Sequence, residues 1–371
     1  MNKSKIFAAN LLIFLILLFF VIVGPTFFVQ IKRFLLPPSL SVNTEDSLLE
    51  VYSDLPSIAG PLAESQYLEM SYADYYVWRR KPYAGKYINI NEHGIRFSSP
   101  PGSESLNILG YDKALFLGGS TMFGYGSSDE NTIPSLFANE TGIESVNLGE
   151  TGYVARQSLN FFMSFLSSNN SSLSNSLVIS YDGANDVGHG CRSFIQRDET
   201  GYEKLIKSAL VQFRNQDLYA IERLFKPFQD AFGRLLFGKQ LEELDVNDFN
   251  CSTSRQKAES VARNILDSWA YMNAITKESG GKFYAVLQPL AFYGSPTKSN
   301  IHISEVNPLR NEIEAVYPIV LKLAKEYDFT ILDLTRVLDG EAGSFYFDFC
   351  HVSKDGNLLI AKEIISKVSK L

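Results

Sequence analysis

Five short apolar runs punctuate the chain: KALFLGG (113–119), ESVNLG (144–149), SLVISYDG (176–183), KFYAVLQP (282–289) and FTILDLT (329–335). Each is nearly continuous in hydrophobicity, as parallel strands are when both sheet faces are covered. Between them lie helix-patterned stretches such as ENTIPSLFANETG, RQSLNFFMSFLSS and NEIEAVYPIVLKLAKEYD, and NLLIAKEIISKVSKL closes the chain. Strand and helix in alternation predict a doubly wound α/β domain with a parallel sheet of about five strands. At 371 residues, 45% of them hydrophobic, the chain has ample material for such a core. One stretch, 188–260, breaks the alternation. Its segment YEKLIKSALVQFRNQDLYAIERLFKPFQDAFGRLLFG is amphipathic, which predicts a helical insertion over the strand ends.

Upstream of the alternation the chain changes character. Residues 6–29, IFAANLLIFLILLFFVIVGPTFFV, carry no charge, and about 20 apolar residues suffice to cross a bilayer. The run is long, and no small-residue cleavage site follows it, which favours an uncleaved anchor over a signal peptide. Residues 1–33 are therefore read as an anchor, with the N-terminus in the cytoplasm and the rest outside. Lys3 and Lys5 before the span and Lys32 and Arg33 after it nearly balance the positive-inside signal. Residues 34–60, with paired prolines and several serines, read as a linker. Residues 66–105, rich in aromatics and arginine, read as a lead-in that packs on the main domain from about 111 onward. The net charge is −7 with no basic block after the anchor, which argues against nucleic acid as a partner. The three cysteines, Cys191, Cys251 and Cys350, have no CxxC spacing and the histidines are scattered, so no metal site or cofactor is expected. In an exported domain, Cys191 and Cys251 are candidates to bridge the ends of the segment between them; three ordinary buried thiols are the alternative.

In open parallel sheets, ligands bind at the carboxyl ends of the strands. There this chain places GGST (118–121), NLGETGY (147–153) and GAND (183–186), and just before the last helix it has DFCH (348–351). Ser120 can be a helix cap or a nucleophile, and a serine nucleophile needs a base, an orienting acid and an oxyanion site. His351 can supply the base, and Asp348, three residues before it, the orienting acid. Gly152 can bring a backbone N–H to a ligand, and Asn185 a side-chain amide. GGST does not fit G-x-S-x-G, since Met122 stands where the last glycine belongs, and the acid lies beside the histidine. Both features count against an α/β-hydrolase elbow.

Together these blocks resemble the SGNH (GDSL-like) hydrolase superfamily from about Lys113 to the C-terminus, with GGS in place of GDS. The resemblance implies a flavodoxin-like, three-layer fold without a cofactor. It implies Ser120 as nucleophile, Asp348 and His351 completing the triad, and an oxyanion hole from Ser120, Gly152 and Asn185. The lead-in NINEHGIR also resembles membrane-anchored bacterial members linked to surface polysaccharides. The expected function is thus an esterase acting on acyl, mainly acetyl, esters of a cell-surface glycan. It would sit in the inner membrane, facing the periplasm in a Gram-negative cell. An O-acyltransferase that passes the acyl group to a sugar hydroxyl, and a silent glycan-binding or assembly component, are the alternatives. His189, Arg192, Trp78 and Arg79 are further candidates for substrate contact, although Trp78 and Arg79 also suit packing of the lead-in. Asp186 is expected to hold its loop, and Cys350 to be a buried packing residue.

Overall fold

The computed structural model describes residues 44–102, 107–169, 172–193, 195, 248–294 and 309–370. The expected membrane span and the central part of the 188–260 insertion lie outside these residues. Among the described residues, no helix is long and apolar enough to cross a membrane.

The lead-in is more structured than its pattern predicts. Residues 44–60, expected as a linker, begin with helix α1 (Glu45–Val51) and run through a 3-10 turn into α2 (Ala59–Ser65). Leu55, Ile58 and Leu62 are buried in one cluster with Phe347. An apolar residue every three or four positions docks this segment, and the interspersed acids stay outside. Two antiparallel hairpins follow, β1 (Met70–Ala73) with β2 (Val77–Arg80), and β3 (Tyr83–Ala84) with β4 (Asn89–Ile90).

The five apolar runs become β5 (Lys113–Gly118), β6 (Glu144–Asn147), β7 (Ser176–Asp182), β8 (Lys282–Leu287) and β9 (Thr330–Asp333). All pairings are parallel, in the order β6-β5-β7-β8-β9. This is the doubly wound order, and its switch point lies where β5 and β7 stand side by side. Every residue of β7 is buried, whereas the edge strands β6 and β9 are half exposed. Central position explains the solid run SLVISYD, and edge position explains the polar residues of ESVN.

A one-turn helix α3 (Ser120–Phe123) follows β5, and α4 (Ile133–Thr141) leads to β6. Helix α5 (Ala155–Asn169) leads to β7, and α6 (Ala184–Gly190) leaves it. Then come α7 (Arg255–Glu278), α8 (Leu309–Leu323) after β8, and the terminal α9 (Lys354–Val368). On one sheet face, alternate strand residues Phe116, Ile179, Tyr284 and Leu332 pack with Phe137 of α4 and Ile360 of α9, as the two-residue pleat requires. On the other side α5, α7 and α8 pack in a row. Helix α7 buries Ala258, Val261, Ile265, Trp269 and Met272 at helical spacing. It begins at Arg255, so the last residues of the expected insertion belong to the main domain. Cys191 and Cys251 form a disulfide that closes the stretch between α6 and α7.

Candidate active site

The strand order brings three loops together. Ser120 follows β5, Gly152 lies beyond β6, and Asn185 follows β7, so all three stand around the switch point. DFCH arrives from the far end of the chain because α4 and α9 pack against each other. Ser353 caps α9, and the Thr121 hydroxyl donates to the Cys350 carbonyl at 3.3 Å. These contacts pin the segment beside α3.

There Ser120 Oγ lies 2.6 Å from His351 Nε2, and His351 Nδ1 lies 2.5 Å from Asp348 Oδ2. The other Asp348 oxygen accepts the backbone N–H groups of His351 at 2.7 Å and Cys350 at 2.9 Å. With Nδ1 protonated toward the carboxylate, Nε2 is the acceptor for the serine proton. Burial pushes the Asp348 carboxyl up, but the adjacent His351 and the backbone donors outweigh it and hold it below its ordinary value. The imidazole packs beside two aromatic rings that also touch each other: Phe347 stacks on it with centroids 5.7 Å apart, and Tyr125 lies 4.9 Å away.

Ser120 is not a cap. The cap position belongs to Gly119, and Ser120 is the first residue of a helix only four residues long. A helix dipole therefore adds little here; what remains is the local backbone N–H. Gly119 has its own reason. A Cβ there would stand 2.5 Å from Asn185 Nδ2, so glycine lets the amide lie against the nucleophile turn. Asn185 donates one N–H to the Tyr153 carbonyl at 2.9 Å, which fixes the amide plane and orients the second N–H. Gly152 has φ +79, a left-handed conformation that glycine adopts without penalty.

Several residues that hold this arrangement went unnoticed in the sequence. Glu150 is fully buried and accepts the Arg80 backbone N–H at 3.0 Å and the Arg80 Nε at 3.3 Å. Arg96, also buried, donates to the carbonyls of Phe123, Gly124 and Ser127 and to Asp129, and so anchors the exit of α3. Tyr125 stands only two residues beyond α3. The one available signal was its place in the GGSTMFGYG block.

The remaining candidates are placed as follows. Trp78 is buried; its indole donates to the Thr151 carbonyl at 3.0 Å, and its ring backs Gly152. Arg79 is buried beside it and donates to the Leu148 carbonyl at 3.2 Å. His189 lies 2.9 Å from Arg192 Nη1 through Nδ1. Burial and the arginine charge lower its pKa to about 4, so it is a neutral acceptor next to the disulfide rather than a proton carrier. Asp186 accepts the N–H groups of Ala155 at 2.9 Å and Gly183 at 3.3 Å, tying α5 to the start of α6. Burial pushes the Cys350 thiol well up, so it stays protonated. Asp348, Cys350 and His351 are close enough to share a metal ion, but both ring nitrogens of His351 are already engaged, Nδ1 with Asp348 and Nε2 with Ser120. The cluster of Cys191, Cys251 and Glu312 has its sulfurs in the disulfide. The arrangement at Ser120 can deprotonate a serine hydroxyl and stabilise an anion beside it.

No protein-family model matches the chain, and no curated protein matches it. Solved structures do. The chain is similar to a member of the lipolytic protein G-D-S-L family from Veillonella parvula at 11% identity, over 70% of this chain and 99% of that one, with a TM-score of 0.40. It is similar to a catalytic mutant of the acetylxylan esterase Axe2 from Geobacillus stearothermophilus at 15% identity, over 71% and 96%, with a TM-score of 0.37. A third, the acetyl xylan esterase AlAXEase, is 14% identical over 69% and 99%, with a TM-score of 0.38.

Proposed function

We propose that this protein is a serine esterase of SGNH type that removes an acyl group, chiefly acetyl, from a cell-surface glycan. The observation that carries this reading is the relay from Asp348 through His351 to Ser120, with contacts of 2.5 and 2.6 Å. His351 Nε2 takes the proton as Ser120 Oγ attacks the ester carbonyl. The oxyanion receives N–H groups from Ser120, Gly152 and the Asn185 amide. His351 then returns the proton to the departing alkoxide, leaving an acyl-enzyme. Water, activated by the same histidine, releases the acid. A sugar hydroxyl in place of water would make the same site an O-acyltransferase.

The apolar run at 6–29 supports a single membrane anchor, and the Cys191–Cys251 disulfide supports a domain held outside the cytoplasm, where disulfides persist. The test compares the detergent-solubilised full chain with Ser120→Ala on a chromogenic acetyl ester. Turnover is expected to fall by roughly a thousandfold or more. Equal turnover by the two proteins would remove Ser120 as nucleophile and leave a glycan-binding component as the reading.

A further inference from the structure

The loop that leaves α3 presents a tyrosine to the relay. Tyr125 stands between Gly124 and Gly126, with φ +91 and +78. Both are left-handed conformations in which a side chain would be strained. A Cβ at Gly126 would also lie 2.5 Å from Phe347 Cζ, so glycine lets that ring close in against the turn. The Tyr125 backbone N–H donates to the Ser120 carbonyl at 2.9 Å, and buried Arg96 holds the carbonyls of Gly124 and Ser127 on either side. The backbone around Tyr125 is thus fixed, while the residue itself is only partly buried. Its ring centroid lies 4.9 Å from that of His351.

A second tyrosine comes from the lead-in. Tyr52, which ends α1, meets Phe347 edge to face with centroids 6.1 Å apart, and is also only partly buried. Burial, and then interaction with Asp348 and Tyr125, raises its pKa. Its hydroxyl therefore stands within Coulomb range of the triad acid and stays a neutral donor. Phe347, 3% exposed, is the buried base on which Tyr52, Tyr125 and His351 all rest. The Asp348 and His351 side chains keep 37% and 13% of their surface exposed, so the pair that these rings flank is reachable from solvent.

The direction of the reaction decides what the rings meet. The loops of Gly152 and Asn185 run into α5 and α6, which pack with α7 and α8, whereas DFCH arrives with α9 on the opposite sheet face. In the proposed mechanism the ester carbonyl oxygen points to Gly152 and Asn185, and the departing oxygen to His351 Nε2, which must return its proton. The alcohol half of the ester therefore extends past His351, where Tyr125 and Tyr52 stand. We propose that these two tyrosines form a stacking platform for the sugar ring that carries the ester. The platform rests on the reading of the substrate as an acylated glycan, and deepens it by assigning the sugar to this wall of the site. The negative face of an aromatic ring attracts the C–H groups of a pyranose, and a tyrosine hydroxyl can bond its oxygens.

The test compares acetate release from glucose pentaacetate, which offers an ester at every hydroxyl position, and from glyceryl triacetate, which has the same acyl group on an open-chain alcohol. Each is read as kcat/KM with the detergent-solubilised full chain. The ratio of sugar to open-chain ester is expected to favour the sugar in the parent. It is expected to fall by roughly five- to tenfold in Tyr125→Leu, which keeps apolar contact with Phe347 but has no flat face. Tyr52→Leu, on a separate element, is expected to lower it as well, and Tyr125→Phe, which keeps the face, to hold it. An unchanged ratio in either leucine variant overturns the platform, even where both rates drop together, since a ring that only props His351 would slow both esters alike. A fall in Tyr125→Phe as large as in Tyr125→Leu overturns the stacking. The second readout is saturation-transfer NMR of glucose pentaacetate on the full chain carrying Ser120→Ala. Signal from the sugar ring protons is expected there, and its loss on adding Tyr125→Leu. No signal, or one indifferent to Tyr125, overturns the platform. Because this readout needs no turnover, an inert Ser120 leaves it standing, and failure of the platform leaves the Ser120 chemistry standing.

Discussion

At the scale of single residues, Asp348 sets what His351 can do. Its Oδ1 takes two backbone N–H groups, so only Oδ2 is left for the imidazole. In Asp348→Asn the remaining oxygen would keep the backbone donors, and the amide N–H₂ would face Nδ1. His351 would then present N–H at Nε2 and lose its acceptor for the serine proton. We expect turnover of a chromogenic acetyl ester to fall by roughly 10⁴, with thermal stability nearly kept; a fall of only a few-fold would show that the carboxylate does not set the tautomer. Under the proposed mechanism, Asn185→Ala would remove an oxyanion donor and is expected to lower kcat by about 10²–10³ with KM little changed. A rise in KM alone would make Asn185 a ground-state contact. Ser120 and Asn185 were legible as candidates because each sits in a short block at a strand end, and Asp348 and His351 because they share one block just before the last helix. Glu150 and Arg96 were not, because their partners are distant in sequence: Arg80 lies 70 residues from Glu150, and Phe123 lies 27 from Arg96. A buried arginine looks like any surface arginine until its carbonyls are known.

At the scale of elements, the lead-in hid its structure for a related reason. Its strands are two to four residues long, too short for a period to show, and tertiary bonds define them. Arg96 is the chief of these, fully buried with Asp129 at 2.9 Å. Arg96→Leu would leave that carboxylate buried without its cation and free three carbonyls. We expect a loss of about 3–5 kcal/mol in urea unfolding, in part regained on adding Asp129→Leu; a loss below 1 kcal/mol would mean the lead-in does not hold α3. The junction of α5 and α6 carries a pH dependence. Burial and the nearby Asp182 charge raise the Asp186 carboxyl to about 7, and burial raises Asp182 to about 6. A carboxyl whose folded pKa exceeds its unfolded value near 4 binds more protons folded than unfolded in that interval. Its stabilising share is therefore whole below pH 4 and lost as pH rises toward 7. Asp186→Asn is expected to flatten that decline in the unfolding midpoint between pH 4 and 7; an unchanged slope would assign it elsewhere.

At the scale of the whole molecule, the sheet was the most legible part, since five solid apolar runs separated by helices leave few topologies open. The segment between α6 and α7 was less legible, because the alternation of strand and helix stops there and the central part of the expected helical insertion lies outside the described residues. The structure joins the ends of that segment. Cys191 caps the end of α6, Cys251 stands four residues ahead of α7, and both sulfurs are buried. The bond spans 60 residues, and closing a loop of that length removes unfolded-state entropy worth roughly 4 kcal/mol in the chain-entropy account. Burial shields the bond from reductant while the protein stays folded, so the test is substitution. The Cys191→Ser/Cys251→Ser protein is expected to unfold at lower urea concentration by about that free energy, with unfolding now indifferent to reductant. Parent protein unfolded in reductant should match it. If the double variant equals the oxidised parent, the loop ends are held by packing alone, and the hydrogen bonds from Ser252 to Glu312 of α8, at 2.5 and 2.9 Å, become the tie to test next.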